Sequence, residues 1–197
     1  MRSREIALVS ALLALASVAH YLARFTQVGG IQMAPSIAFY CLIPLLLVDM
    51  SVKEACLVGL VNGILLSIAT SSPFPLANIP SHWIGLMTAK LLVDLVRKSG
   101  RKVKTAYVPA IVAPAVLISG IVFIVVAYYG MINVPQLAVS QVAVEKFKAR
   151  FGALEAFFAY AMTLIVIPTL ALNSFVLTPA LFAALKPALV RRGFIGG

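Results

Sequence analysis

Apolar residues fall in six blocks along this chain, separated by short stretches that hold nearly all of its charge. The blocks cover about residues 5–23, 33–49, 54–71, 80–97, 106–129 and 156–178. Each is close to the ~17–25 residues an α-helix needs to cross the hydrocarbon of a bilayer. Lipid offers the backbone no hydrogen-bond partners, so apolar runs of this length are predicted as helices. The pattern predicts an all-α integral membrane protein, a six-transmembrane-helix bundle forming one domain over residues 1–197. The last run continues to about residue 190, too far for one crossing. Thr178-Pro179 offers a new start, with threonine as cap and proline at the first helical position. Residues 179–192 are therefore predicted as a continuing or kinked helical extension on the cytoplasmic side.

Composition strengthens this picture. The chain is 62% hydrophobic and 11% charged, where soluble domains are about a quarter charged. Its net charge of +10 would suggest nucleic acid in a soluble protein. Among spans it is expected of basic cytoplasmic loops instead, and no nucleic-acid partner is predicted. With the N-terminus inside, 11 of the 16 Lys and Arg fall on the inner side, mostly in 97–104 and at the two termini. Four fall outside: Arg24, Lys146, Lys148 and Arg150. The distribution predicts a plasma-membrane protein with cytoplasmic termini and outer loops at 24–32, 72–79 and 130–155. An alternative is that Arg2, Arg4 and the apolar stretch up to Ser17-Val18-Ala19 form a cleaved secretion signal, leaving five spans in the same orientation.

Little in the chain suggests catalysis. There is no phosphate-cradling G-x-x-x-x-G-K-[ST] run and no H-E-x-x-H. The two histidines, His20 and His82, lie near the outer ends of different helices, and Cys41 and Cys56 fall inside spans. No enzyme activity, cofactor, metal or disulfide is expected. A transport function would draw its energy from a gradient or from a partner.

Five places attract attention. In Ser71–Trp83, three prolines fix φ and stiffen an outer loop. There Phe74 and Trp83 offer flat apolar faces, and Asn78, Ser81 and His82 offer hydrogen bonds. Such a loop suits a small planar ligand, or serves as an interfacial anchor. Lys90 is a charge inside an apolar run, a functional candidate by its cost in lipid. It either faces a cavity and meets a ligand carboxylate or pairs with Asp94 one turn on. Asn62 and Asn173 are amides within spans that either join helices or line a site. Finally, Ala7 and Ala11 in the first helix, and Gly59 and Gly63 in the third, are small residues four apart, allowing close approach of another helix. In the long loop 130–155, Ser140, Phe147, Phe151, Leu154 and Phe158 recur near helical spacing. They predict an amphipathic surface segment, either a lid or a solvated connector.

Together these features resemble a substrate-binding S component of an energy-coupling-factor (ECF) transporter. The layout matches over nearly the whole chain, and Ala7-x-x-x-Ala11 matches the A-x-x-x-A pattern of that family's first helix. The tryptophan-type members are most similar. His20 follows an alanine-rich run, Phe74-Pro75-x-x-Asn78-Ile79-Pro80 is similar to their F-P-x-x-x-I-P element, and Ile167-Pro168-x-x-Ala171-Leu172-Asn173 to their proline followed by Leu-Asn. Ser81, His82 and Trp83 stand where that family places an acidic and a basic residue, and loop 130–155 is longer than usual. The resemblance implies capture of tryptophan from outside, with Phe74, Asn78, His82, Trp83, Lys90 and Asn173 as substrate-binding residues. It further implies docking through Ala7 and Ala11 on a transmembrane coupling subunit driven by two ATPase subunits. A vitamin or vitamin-precursor S component, or a stand-alone secondary transporter, would fit the same inventory.

Overall fold

The computed structural model describes residues 1–25 and 31–195; positions 26–30 of the predicted outer loop 24–32 lie outside the described residues. The fold is all-α. Its helices are α1 (Ser3–Ala23), α2 (Ser36–Leu46), α3 (Val52–Ala69), α4 (Asn78–Lys98), α5 (Val108–Asn133), α6 (Gln141–Arg150), α7 (Leu154–Ala161), α8 (Ile167–Leu172) and α9 (Thr178–Arg191). The last three form one run, Leu154–Arg191, joined by π turns at Met162–Val166 and Asn173–Leu177. Among the described residues, α1, α3, Thr105–Asn133 and Leu154–Arg191 are long and apolar enough to cross a membrane. The protein is accordingly a membrane protein.

Local chemistry sets the ends of these helices. Ser51 and Glu54 cap α3 reciprocally: the Glu54 N–H donates to Ser51 Oγ at 3.2 Å, and the Ser51 N–H to Glu54 Oε2 at 2.8 Å. Ser140 caps α6 by accepting from the Ala143 N–H. Each π turn ends two residues before a proline, Pro168 or Pro179. A proline ring clashes with the carbonyl four residues earlier and offers it no N–H. The widened turn relieves that clash. The carbonyl orphaned by Pro168 belongs to Leu164, and it accepts the Gln32 N–H at 2.9 Å. The proline thus ties this run to the segment leading into α2.

Two expectations need correction. The second apolar block, 33–49, holds a helix of only 11 residues, about 16 Å at 1.5 Å per residue. Pro44 lies within it, and ten of the 11 residues are buried. Its apolarity reflects a central position among other helices. Thr178 does not cap α9: it lies inside the helix behind Leu177, and its Oγ1 is buried without a hydrogen-bond partner among the described residues.

The bundle has two ends. At the first, the Met1 ammonium pairs with Glu54, Arg97 with Asp49 at 2.6 Å, and Arg97 Nη1 donates to the Val48 carbonyl. Lys186 donates there to the Val103 carbonyl and Arg4 to that of Gly193. Glu54 raises the pKa of the Met1 ammonium by accepting its hydrogen bond. The predicted inner segments thus gather at one end. Between the ends, α3 and α4 pack most closely, because Gly59 and Gly63 let α3 approach Trp83 and the backbone of Ile79. One apolar cluster surrounds α2, and a second joins Phe74, Met131, Val144, Phe147, Phe151 and Phe157 at the opposite end.

Candidate functional site

A cavity of about 300 Å³ opens at that opposite end, at the lower limit of pockets that enclose small molecules (~300–1,000 Å³). Its lining comes from the end of α1, the start of α2, loop 70–74, the start of α4, the middle of α5, α6 and the run from α7 to α8.

One wall is the proline-rich loop. Ser72 organises it: its N–H donates to Thr70 Oγ1 at 3.1 Å, and its Oγ accepts the Phe74 N–H at 3.2 Å. Phe74 is thereby turned inward and is buried against Gly130 of α5. A methyl at Gly130 would stand 2.4 Å from the Phe74 ring, so only glycine admits the ring there. A short 3₁₀ turn, Pro75–Ala77, then leads into Asn78 at the head of α4.

The floor is polar. Asn78 Nδ2 donates to the Pro75 carbonyl at 2.9 Å, which directs its Oδ1 toward His82 Nε2 at 3.2 Å. A carbonyl oxygen only accepts, so Nε2 carries the hydrogen. Nδ1 then accepts from the Tyr40 hydroxyl, 3.4 Å away. These contacts are the ones the Nε2–H tautomer of His82 makes. His20 lies edge-on to it with ring centroids 5.6 Å apart, and its Nδ1 is 3.0 Å from Ser36 Oγ. Gly85 makes room for this network: a methyl there would lie 3.0 Å from both the Tyr40 hydroxyl and Ser119 Cβ.

The opposite wall is aromatic. Phe147 and Phe151 of the α6 segment pack on Phe157 with centroids 4.9 and 5.1 Å apart, and Phe151 lies 5.1 Å from Tyr160. The predicted amphipathic segment packs on the bundle, with its own Val144, Phe147 and Phe151 buried. Its approach is pinned by the Val139 N–H, which donates to the Pro73 carbonyl. Arg150, the last residue of α6, sets its guanidinium 4.4 Å from the centre of the Tyr160 ring.

The structure sorts the sequence candidates. Phe74, Asn78 and His82 line the cavity together; Trp83, Lys90 and Asn173 do not. Trp83 packs on Gly59 in the α3–α4 seam. Lys90 is buried and donates to Asp94 at 2.5 Å. Asn173 joins helices: its Oδ1 accepts the Ala38 N–H at 2.8 Å and its Nδ2 donates to the carbonyls of Ala34 and Thr169. Asn62 is fully buried and neither end of its amide has a partner among the described residues. Ala7 and Ala11 are exposed on the outside of the bundle, with Ser3, Ser10 and Ala14 exposed on the same helix. Sequence reasoning did not assign Arg150, Tyr40, Ser119 or Phe123 to the site. Only the helical spacing of Phe147 and Phe151 signalled the aromatic wall.

No protein family, curated protein or solved structure matches the chain.

Proposed function

We propose that this protein is the substrate-capture subunit of an ECF-type importer, taking tryptophan from outside the cell and passing it to an ATP-driven partner module. The observation that carries this reading is the cavity, with aromatic walls and a floor of hydrogen-bonding groups. An indole between Phe74 and the Phe147–Phe157–Tyr160 wall would be held by offset and edge contacts. His20, Asn78 and Ser119 would face its polar groups. The exposed small-residue face of α1, with Ala7 and Ala11, is the surface for the coupling subunit.

The topology follows the same reading. Six helical passages, with Leu154–Arg191 as the sixth, cross the plasma membrane; both termini are cytoplasmic and the cavity is outside. The short α2 crosses as a central strut shielded from lipid, with extended chain completing its passage. The sequence resemblance to S components over nearly the whole chain supports this arrangement.

A thermal-shift screen of the detergent-purified protein against tryptophan, other aromatic amino acids and common vitamins tests the reading. A ligand at ~100 times its Kd stabilises the folded state by about 2.7 kcal/mol. Stabilisation by tryptophan is expected. Stabilisation by a vitamin alone would retain the capture role and replace the substrate; no stabilisation by any compound would overturn it. Ala7→Trp and Ala11→Trp are expected to leave the shift intact and to abolish uptake in cells. Uptake by the purified protein alone, driven by an ion gradient, would refute the need for a partner.

A further inference from the structure

The cavity's charge is as informative as its shape. Among the described residues that line it there is no aspartate, glutamate or lysine, and Arg150 is the one arginine. Arg150 forms no ion pair among the described residues. Its α6 neighbours Phe147 and Phe151 are anchored in the aromatic wall, so the guanidinium is delivered to the cavity mouth by a packed segment rather than by a free loop. Its guanidinium donates no hydrogen bond among the described residues, so its five N–H donors are open to a ligand. Lys90, the cation the sequence offered for a ligand acid, is sequestered by Asp94 outside the lining.

We infer that Arg150 receives an acidic group of the ligand, which makes this a site for planar aromatic carboxylates rather than for neutral or cationic aromatics. This rests on the cavity being the substrate site. An anion at the mouth completes a fork that has no protein partner, while the aromatic body lies against Phe74 and the Phe151–Phe157–Tyr160 wall. The arginine also sits at the C-terminus of α6, where a cation is favoured by the helix dipole; that contribution is independent of the ligand and is separated by the test below.

The test compares acids with their amides: tryptophan with tryptophanamide, indole-3-acetate with indole-3-acetamide, and benzoate with benzamide. Affinities are measured by calorimetry or thermal shift on the detergent-purified full chain. The wild type is expected to favour the acid of at least one pair by roughly tenfold or more, the scale of a charge-assisted hydrogen bond. Arg150→Gln is expected to bring the ratio close to one by weakening the acid alone. Arg150→Lys, which keeps the charge but loses the planar fork, is expected to recover part of the ratio. Lys146→Gln removes a charge from an exposed position of α6 outside the lining and is expected to preserve it. The assignment is overturned if Arg150→Gln keeps the preference, or if Lys146→Gln erases it equally. Equal binding of acids and amides by the wild type removes the anion assignment and leaves an aromatic site. Failure to bind any of the six compounds removes both.

Discussion

Gly63→Ala is the sharpest test of how this bundle is held together. A Cβ built at Gly63 lies 2.5 Å from the Ile79 carbonyl oxygen, 2.8 Å from its Cα and 3.1 Å from its carbonyl carbon. All three are backbone atoms, so no side-chain rotation relieves the overlap. Ordinary contact begins near 3.4 Å, so α3 and α4 must part by about 0.9 Å there. A gap of ~0.5–1 Å forfeits a quarter to a half of the dispersion energy at each affected contact. Overpacking of this kind costs about 1–3 kcal/mol, and contact with main chain argues for the upper part of that range. Alanine returns about 0.5–1 kcal/mol by its better helix propensity. The net loss is then about 2 kcal/mol, or a Tm lower by about 4–8 °C for a chain of this size.

Two companion variants turn that figure into a ranking. At Gly59 the nearest atom is Trp83 Cδ1, at 2.9 Å; the indole can swing, so Gly59→Ala is expected to cost less than Gly63→Ala. Gly152 has nothing within 4 Å, and Gly152→Ala is expected to fall within about 0.5 kcal/mol of the wild type. Thermal unfolding in detergent, followed by light scattering and by circular dichroism, measures all three. Ile79→Ala in the Gly63→Ala background is expected to restore nothing, since the clash is with main chain. A Gly63→Ala protein as stable as the wild type, or a rescue by Ile79→Ala, would refute the packing described for the α3–α4 seam.

Two further outcomes concern the polar groups that the cavity does not use. Lys90→Met leaves Asp94 without its partner and is expected to cost up to about 3 kcal/mol, tempered by the 25% exposure of the Asp94 side chain; Lys90→Met/Asp94→Leu should recover most of that stability, and ligand affinity should be unchanged in both. Asn173→Leu removes the contacts to Ala38, Ala34 and Thr169, at an expected cost of about 2–3 kcal/mol. Because Ala34 and Ile37 line the cavity, ligand affinity should fall with it, and a variant that loses neither stability nor affinity would show that the amide does not hold α2.

Much of the helical architecture was legible because lipid imposes one requirement at a time. A backbone that must satisfy itself needs unbroken apolar runs, and five of the six predicted blocks hold helices within a few residues of their expected limits. The helix in the second block is shorter than the block itself, for a reason that hydropathy does not register. Ile37, Tyr40, Cys41 and Leu45 are apolar because protein surrounds them, and a central helix reads like a lipid-facing one. The π turns were hidden as well; Pro179 suggested a helix start, and the widened turns keep Leu154–Arg191 continuous. That Phe74, Asn78 and His82 would lie together was readable because a stiff loop places close neighbours in sequence close in space.

The exchange of Lys90 for Arg150 shows where such reading stops. Position along a span gives depth, and by depth Lys90 is two turns beneath His82, about 12 Å at 1.5 Å per residue. Depth says nothing about azimuth. Eight residues rotate a side chain by about 80° around a helix of 3.6 residues per turn, and that rotation carries Lys90 out of the lining and against Asp94. Arg150 suffers the opposite error. In sequence it belongs to a charged surface segment with Glu145, Lys146 and Lys148, where a cation is ordinary. It becomes exceptional only when Phe147 and Phe151 dock on Phe157 and fix which edge of α6 faces the cavity. A charge in an apolar run is conspicuous in sequence, and here a carboxylate one turn away meets it. A charge that is cheap to expose needs no such partner, which leaves Arg150 free to meet a ligand.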